Sequence, residues 1–134
     1  AGIQLDDGDM ERQSIVDQLS AKGYAVLDMS DNEMAKLHVR HMVGGHSTKV
    51  VNEILYRFEF PERPGALLKF LNTIGQEWNI SLFHYRNHGA AYGRVLAGMQ
   101  VSHQDREKFR ARLNELGYQY WEETFNPAYD LFLG

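Results

Sequence analysis

Residues 52–75 read NEILYRFEFPERPGALLKFLNTIG, a stretch that contains a strand, a turn and a helix in succession. The first part alternates, so one face of the predicted strand carries only large apolar side chains. These are Ile54, Tyr56, Phe58 and Phe60. After the Pro-Gly turn, apolar residues recur at helical spacing. The spacing predicts a helix with Pro64 in its first turn, where proline is well tolerated, and a buried stripe of Leu67, Leu68, Leu71 and Ile74.

The next fifty residues continue with two strands, a helix and a last strand. WNISLFHYR (78–86) is rich in aromatic and β-branched residues, NHGAAYG (87–93) supplies a turn, and RVLAGMQV (94–101) is the next strand. A helix over 102–116 has Phe109, Leu113 and Leu116 on one side, and YQYWEET (118–124) closes the unit. The order strand, helix, strand, strand, helix, strand predicts an α+β, ferredoxin-like (βαββαβ) fold.

The beginning of the chain repeats the end of this pattern. AGIQL (1–5) parallels AGMQV (97–101), Gly23-Tyr24 parallels Gly117-Tyr118, and Asn32 parallels Asn126. We interpret the series as an internal repeat, although any two strand-helix-strand units can share Gly-Tyr after a helix. Strands are then predicted at 1–5 and 24–30, with a helix between them.

The repeat predicts two units of unequal completeness. Residues 1–41 form the C-terminal part of a first unit (strand, helix, strand and a short helix), 42–52 a linker, and 53–134 a complete second unit with a C-terminal tail. In a ferredoxin-like sheet the first strand separates the third from the fourth, so the two strands of the first unit lack the neighbour between them. We expect a second chain to cover this gap in a dimer, or the two strands to close directly as a parallel pair.

Composition excludes several classes of protein. The chain has 134 residues, 14 basic and 18 acidic side chains, a net charge of −4 and no cysteine. Dispersed basic residues argue against nucleic-acid binding, and no apolar run approaches the roughly 20 residues that span a bilayer. The absence of cysteine fits a cytoplasmic location.

The histidines and lysines suggest no catalytic or metal centre. His38 and His41 are three residues apart and His46 follows, a spacing that permits a zinc site only if a further ligand exists. Surface or interface histidines are the favoured interpretation, so we expect no metal. Neither a nucleophile-base set nor a lysine with a glycine-rich phosphate cradle is evident, and we expect the chain itself to have no catalytic residues and no cofactor.

Longer phrases carry a family resemblance. SDNEMAKLHVRHMVGG (30–45), FEFPERPGALLKFLNTIG (58–75), WNISLFHYRNHGAAYGRVLAG (78–98) and NPAYDLFLG (126–134) together resemble the C-terminal regulatory region of biosynthetic threonine deaminases, which is built of ACT-like units. The resemblance implies an amino-acid sensor within a longer lyase whose separate catalytic domain uses pyridoxal phosphate. It implies isoleucine as feedback inhibitor, valine as a possible activator, isoleucine biosynthesis as the pathway, and a homo-oligomer. The alternative is a structural oligomerisation module that binds no small molecule.

The Pro-Gly turn is the candidate effector site. Gly65 lets a ligand approach the backbone, and the amides of Gly65, Ala66 and Leu67 at a helix N-terminus favour a carboxylate. The other possibility is that Pro-Gly only starts a helix and the aromatic residues are core. The family places effector contacts at Tyr85 and Arg86, which alternation sends to opposite faces; we favour Tyr85. The candidate residues are Pro64, Gly65, Ala66, Leu67, Leu68, Phe83, Tyr85 and Arg86.

Overall fold

The computed structural model describes residues 2–6, 8–39, 42, 50–87, 89 and 91–134. The chain divides into two compact units, Ala1–Asp31 and Asn32–Gly134. No helix among the described residues has both the length and the apolar character needed to cross a membrane.

The first unit consists of one helix and extended segments. Helix α1 spans Gly8–Ala21 and has no buried residue. It is followed by Gly23 in the left-handed conformation (φ 85°) that glycine commonly adopts at helix ends. Arg12 contacts the Asp28 and Asp31 carboxylates at 3.1 and 2.9 Å. These ion pairs tie the segment after the helix to α1.

The strands predicted at 1–5 and 24–30 are wrong for the described residues, since 2–6 and 24–30 contain no strand. A strand is defined by hydrogen bonds to a neighbour, and neither segment pairs with a strand among the described residues. The direct parallel pairing of the two segments is therefore also wrong. The dimer and the assignment of this unit to the end of an ACT-like repeat stay predictions.

The second unit has the predicted βαββαβ order. Its elements are α2 (Glu33–Leu37), β1 (Glu53–Pro61), α3 (Ala66–Phe70, continued by a π-helical turn at Leu71–Gly75), β2 (Asn79–Arg86), β3 (Tyr92–Gln100), a 3-10 turn (His103–Asp105), α4 (Arg106–Leu116), β4 (Gln119–Glu122) and α5 (Pro127–Phe132). The sheet is antiparallel in the order β2-β3-β1-β4. This order confirms the ferredoxin-like prediction.

The main core lies between the sheet and the helices α3 and α4. The predicted strand face of β1 is buried in it, and so are Phe109, Leu113 and Leu116 of α4. Val95, Ala97 and Met99 of β3 contribute the neighbouring face of the sheet. Aromatic rings fill the centre, with Phe58, Phe60 and Phe70 within 5.1–6.0 Å of one another between centroids. The alternation of β1 and the helical spacing of α4 therefore placed these side chains correctly.

The predicted buried stripe of α3 is mostly wrong. Leu67, Leu68 and Leu71 are 48%, 60% and 39% exposed. The residues that face the core are Ala66, Phe70 and Ile74, which lie four residues apart. The helix begins at Ala66, after Gly65 in a left-handed conformation (φ 86°), and not at Pro64. Because the Phe70 ring packs on Phe58 and Phe60, the helix is turned so that the leucines face outward.

The opposite face of the sheet carries α2 and α5. Met34, His38 and Ala128 are fully buried there. Asn32 and Asn126, the two residues matched in the repeat, cap these helices and exchange amide hydrogen bonds of 2.7 and 3.2 Å. Because of these contacts α2 belongs to the second compact unit, whereas the sequence grouped it with residues 1–41. The chain divides into its two compact units between Asp31 and Asn32, and the linker predicted at 42–52 stays a prediction.

Candidate effector site

The turn at 61–65 holds its shape through backbone hydrogen bonds. The Arg63 amide donates to the Pro61 carbonyl at 2.9 Å, and the Ala66 amide donates to the Arg63 carbonyl at 3.3 Å. The Glu62 amide donates to the Ala91 carbonyl at 3.1 Å, which fastens the turn to the β2–β3 hairpin. The Ala66 amide is thus already engaged, so it does not form part of the predicted carboxylate cradle with Gly65 and Leu67.

Gly65 takes a conformation that few other residues adopt. Its φ is 86°, and a Cβ at this position would meet no heavy atom within 4 Å. The space outside the turn is therefore open, as the close-approach argument requires. A side chain at residue 65 strains the backbone because left-handed φ values cost L-residues energy.

Phe83 and Tyr85 lie on the same side of the sheet as α3. The Phe83 ring is 6.0 Å from the Phe70 ring and 6.4 Å from the Phe60 ring between centroids, and it remains 39% exposed. A bulge between Ile80 and Leu82 lets both Ile80 and Phe83 face the core, because it changes the alternation of β2. Phe83 therefore borders α3, and Tyr85, two residues further along β2, lies on the same face of the sheet.

Tyr85 connects strand β2 to the turn. Its hydroxyl donates to the Glu62 carboxylate, which raises the pKa of Tyr85. The ring lies over Gly93: a Cβ on residue 93 would be 2.5 Å from the ring's Cε2 and 2.7 Å from Glu62 Oε1. The absence of a side chain at residue 93 thus leaves the room in which Tyr85 and Glu62 meet.

Arg86 lies on the other face, as alternation predicts. Its Nη1 donates to the Leu37 carbonyl at 3.1 Å, so it holds α2 against β2. His84 shares that face, and its Nδ1 is 2.9 Å from the Nδ1 of buried His38. The structure therefore places Arg86 on the face opposite to Phe83 and Tyr85. Glu62 and Gly93 contact Tyr85 instead, and the sequence analysis did not identify either residue.

The family is decided by comparison with known proteins. The sequence profile of the family described as the C-terminal regulatory domain of threonine dehydratase matches residues 44–133. This chain belongs to that family. The regulatory domain is also similar to biosynthetic L-threonine dehydratases IlvA of Escherichia coli K12 (57% identity over 98% of this chain) and Salmonella typhimurium LT2 (56% over 98%). The mitochondrial threonine dehydratase of Saccharomyces cerevisiae is 50% identical over 95% of this chain.

The regulatory domain spans about a quarter of these relatives, namely 26% of each bacterial protein and 22% of the yeast protein. It corresponds to their regulatory part. The four described lysines, Lys22, Lys36, Lys69 and Lys108, are exposed, so none of them fits the role of a buried Schiff-base lysine for pyridoxal phosphate.

The histidines suggested for zinc are only partly within the described residues. His38 is buried against His84, whereas His41 and His46 lie outside the part that the structure describes. Among the described residues, no group of three or more histidine, aspartate and glutamate side chains has an arrangement that could hold a metal ion.

Proposed function

We propose that this regulatory domain binds isoleucine next to the 61–65 turn, with valine as a competing effector of opposite action. The observation that carries the proposal is the combination of exposed apolar side chains with one polar pair. Leu68 and Phe83 are 60% and 39% exposed, and the Tyr85 hydroxyl donates to the carboxylate of Glu62 in the 61–65 turn. An aliphatic amino acid has this pattern of one apolar branch and charged groups at its other end.

The chemistry of each group suits a zwitterion. The Glu62 carboxylate offers a negative charge for the ligand's ammonium group, and the Gly65 and Leu67 amides at the start of α3 offer donors for its carboxylate. The aliphatic branch then lies against Leu67, Leu68 and Phe83 and removes their apolar surface from water, at about 25 cal/mol per Å². Each part of isoleucine thus has a matching group around one turn.

We further propose that the chain acts within a longer threonine dehydratase, a pyridoxal-phosphate lyase of isoleucine biosynthesis. The covered quarter of the bacterial relatives supports a separate catalytic part. Isoleucine would bind one arrangement of the regulatory units more tightly, and reciprocity makes that arrangement bind substrate less well. A cytoplasmic homo-oligomer is the assembly in which we expect this coupling to operate.

A structural oligomerisation module without a small ligand is the second candidate. The outward leucines of α3 favour it, because Leu67, Leu68 and Leu71 expose apolar surface of the kind that subunit contacts cover. Thermal melting separates the two functions. A ligand that binds only the native state raises the melting midpoint with the logarithm of its concentration above Kd, whereas a purely structural module melts at the same temperature with and without isoleucine.

Calorimetric titration of isoleucine tests the site itself. Gly65→Val is a poor variant, because φ at residue 65 adds backbone strain to any steric block. Leu68→Ser and Tyr85→Phe are better, since both side chains are largely exposed. Leu131→Ser is the matched control, because Leu131 is 55% exposed on α5. We expect Leu68→Ser and Tyr85→Phe each to weaken binding roughly threefold to thirtyfold.

The control variant should bind like the parent chain. If both site variants also bind like the parent, the effector lies elsewhere. If the parent takes up no isoleucine and its melting midpoint does not move, the structural module is the better account.

A further inference from the structure

A cavity lies outside the candidate effector site, where β1 ends and β4 begins. Its volume is about 470 Å³, and none of the eight candidate effector residues lines it. Arg63, Lys69, Tyr92 and Tyr118 line it together with Glu59 and Glu115. The volume is within the range of sites for small organic molecules.

The two acidic and the two basic side chains that line this cavity differ in whether they form ion pairs. Glu59 is paired with Arg94, and Glu115 accepts a hydrogen bond from Arg112 at 2.7 Å. Arg63 and Lys69 belong to no ion pair within the part of the chain that the structure describes. Both acidic side chains of the lining are therefore paired with arginines outside it, Arg112 being shared with Glu77, whereas Arg63 and Lys69 have no carboxylate partner among the described residues.

Tyr118 forms a buried wall of the cavity that both cations line. It is only 8% exposed, and its hydroxyl donates to the Ala66 carbonyl at 2.9 Å. The Lys69 ammonium lies 5.5 Å from the centre of its ring, a cation–π distance. Burial raises the pKa of the Tyr118 phenol, and the positive charge of Arg63 opposes that effect. Both cations thus act on one rigid residue.

We propose that this cavity binds a small dianion, inorganic phosphate or a short dicarboxylate, between Arg63 and Lys69. Two positive charges without carboxylate partners match two negative charges. The arginine fork binds two oxygens of a phosphate or carboxylate group side by side, and the lysine acts as a point charge. Arg63 belongs to the same 61–65 turn as Glu62, so one turn carries groups for two different ligands on its two sides.

Nuclear magnetic resonance on the 134-residue chain tests the proposal. Sodium phosphate and sodium succinate are titrated separately at constant ionic strength, and the backbone amide signals of Lys69, Gly117 and Gln119 are followed. We expect saturable shifts at these residues. Arg63→Gln and Lys69→Gln should each weaken binding roughly threefold to tenfold. Lys22→Gln, which removes one exposed positive charge from the first unit, should change nothing.

The two titrations also distinguish the source of the dianion. Tighter binding of phosphate assigns the cavity to a tetrahedral anion, and tighter binding of succinate assigns it to a dicarboxylate. The proposal is overturned if neither anion produces saturable shifts, or if Lys22→Gln weakens binding as much as the cavity variants do. It is also overturned if isoleucine displaces the dianion, since one site would then serve both ligands.

Discussion

Gly93→Ala is the sharpest test of the effector site, because it moves Tyr85 without touching the core. The new Cβ would lie 2.5 Å from the Tyr85 ring, where ordinary contacts begin at 3.4 Å, so the ring has to move by about 1 Å. The backbone at residue 93 is not left-handed and therefore accepts alanine. The moved ring loses its hydrogen bond to Glu62, which costs about 1 kcal/mol at an exposed site.

The effects on stability and on binding should separate. Replacing glycine by alanine within a strand stabilises the fold by roughly 0.5–1 kcal/mol, which offsets the lost hydrogen bond. We therefore expect the free energy of unfolding to change by less than about 1 kcal/mol. Isoleucine affinity should fall roughly tenfold, because the polar pair beside the turn is broken. Urea denaturation, followed by tryptophan fluorescence, and calorimetric titration measure the two quantities on the same sample.

Gly98→Ala is the matched control on the same strand. A Cβ there would lie 2.7 Å from Glu53 Oε1 and 2.9 Å from Ser81 Oγ. Glu53 also accepts the Tyr129 hydroxyl at 2.5 Å, so this change should cost roughly 1–3 kcal/mol of stability and leave isoleucine affinity unchanged. Equal isoleucine affinity in the parent and in Gly93→Ala refutes the placement of the site. An equal loss of isoleucine affinity in Gly93→Ala and Gly98→Ala shows a global effect instead.

Three further predictions concern stability. Leu113→Ala leaves a cavity in the main core and should cost roughly 2–5 kcal/mol in urea denaturation, with isoleucine affinity preserved in whatever fraction stays folded. Glu123→Ala removes the carboxylate that pairs at 3.0 Å with the nearly buried Arg57 and should cost about 3 kcal/mol of stability. Glu33→Ala, which breaks an exposed ion pair, should cost less than about 1 kcal/mol. Equal losses of stability in the two variants would contradict the effect of burial. Burial raises the pKa of Tyr56 to about 12, above the value near 10 of the unfolded chain, so its contribution to stability is complete below pH 10 and declines between pH 10 and 12. The urea midpoint should therefore depend less steeply on pH in that range in Tyr56→Phe than in the parent, and identical slopes would contradict the assignment.

Local pattern alone predicted most of the second unit. Strand β1 was placed from the alternation of four large apolar residues, and α4 from Phe109, Leu113 and Leu116 at helical spacing; all seven are buried. The same alternation put Tyr85 and Arg86 on opposite faces, where the structure has them. Such predictions succeed because side-chain direction within one element follows from its period.

Helix α3 shows where local pattern fails. Three leucines and Phe70 compete for one buried face, and their spacing does not rank them. Phe70 faces the core because it packs on Phe58 and Phe60. The strands predicted in the first unit fail for a related reason, since alternation describes a strand's faces but not whether a neighbour exists to bond its backbone.

The sequence by itself thus determined the order of the elements in the second unit and the faces of its regular strands, because both depend on residues close together in the chain. The tertiary structure decided which residues from distant parts of the chain contact each other in that unit. Asn32 and Asn126 cap two helices and bond each other across 94 positions, and Tyr85 reaches Glu62 only because Gly93 leaves room beneath its ring. Contacts of this kind depend on the packing of several elements at once, and no period in the sequence encodes that packing.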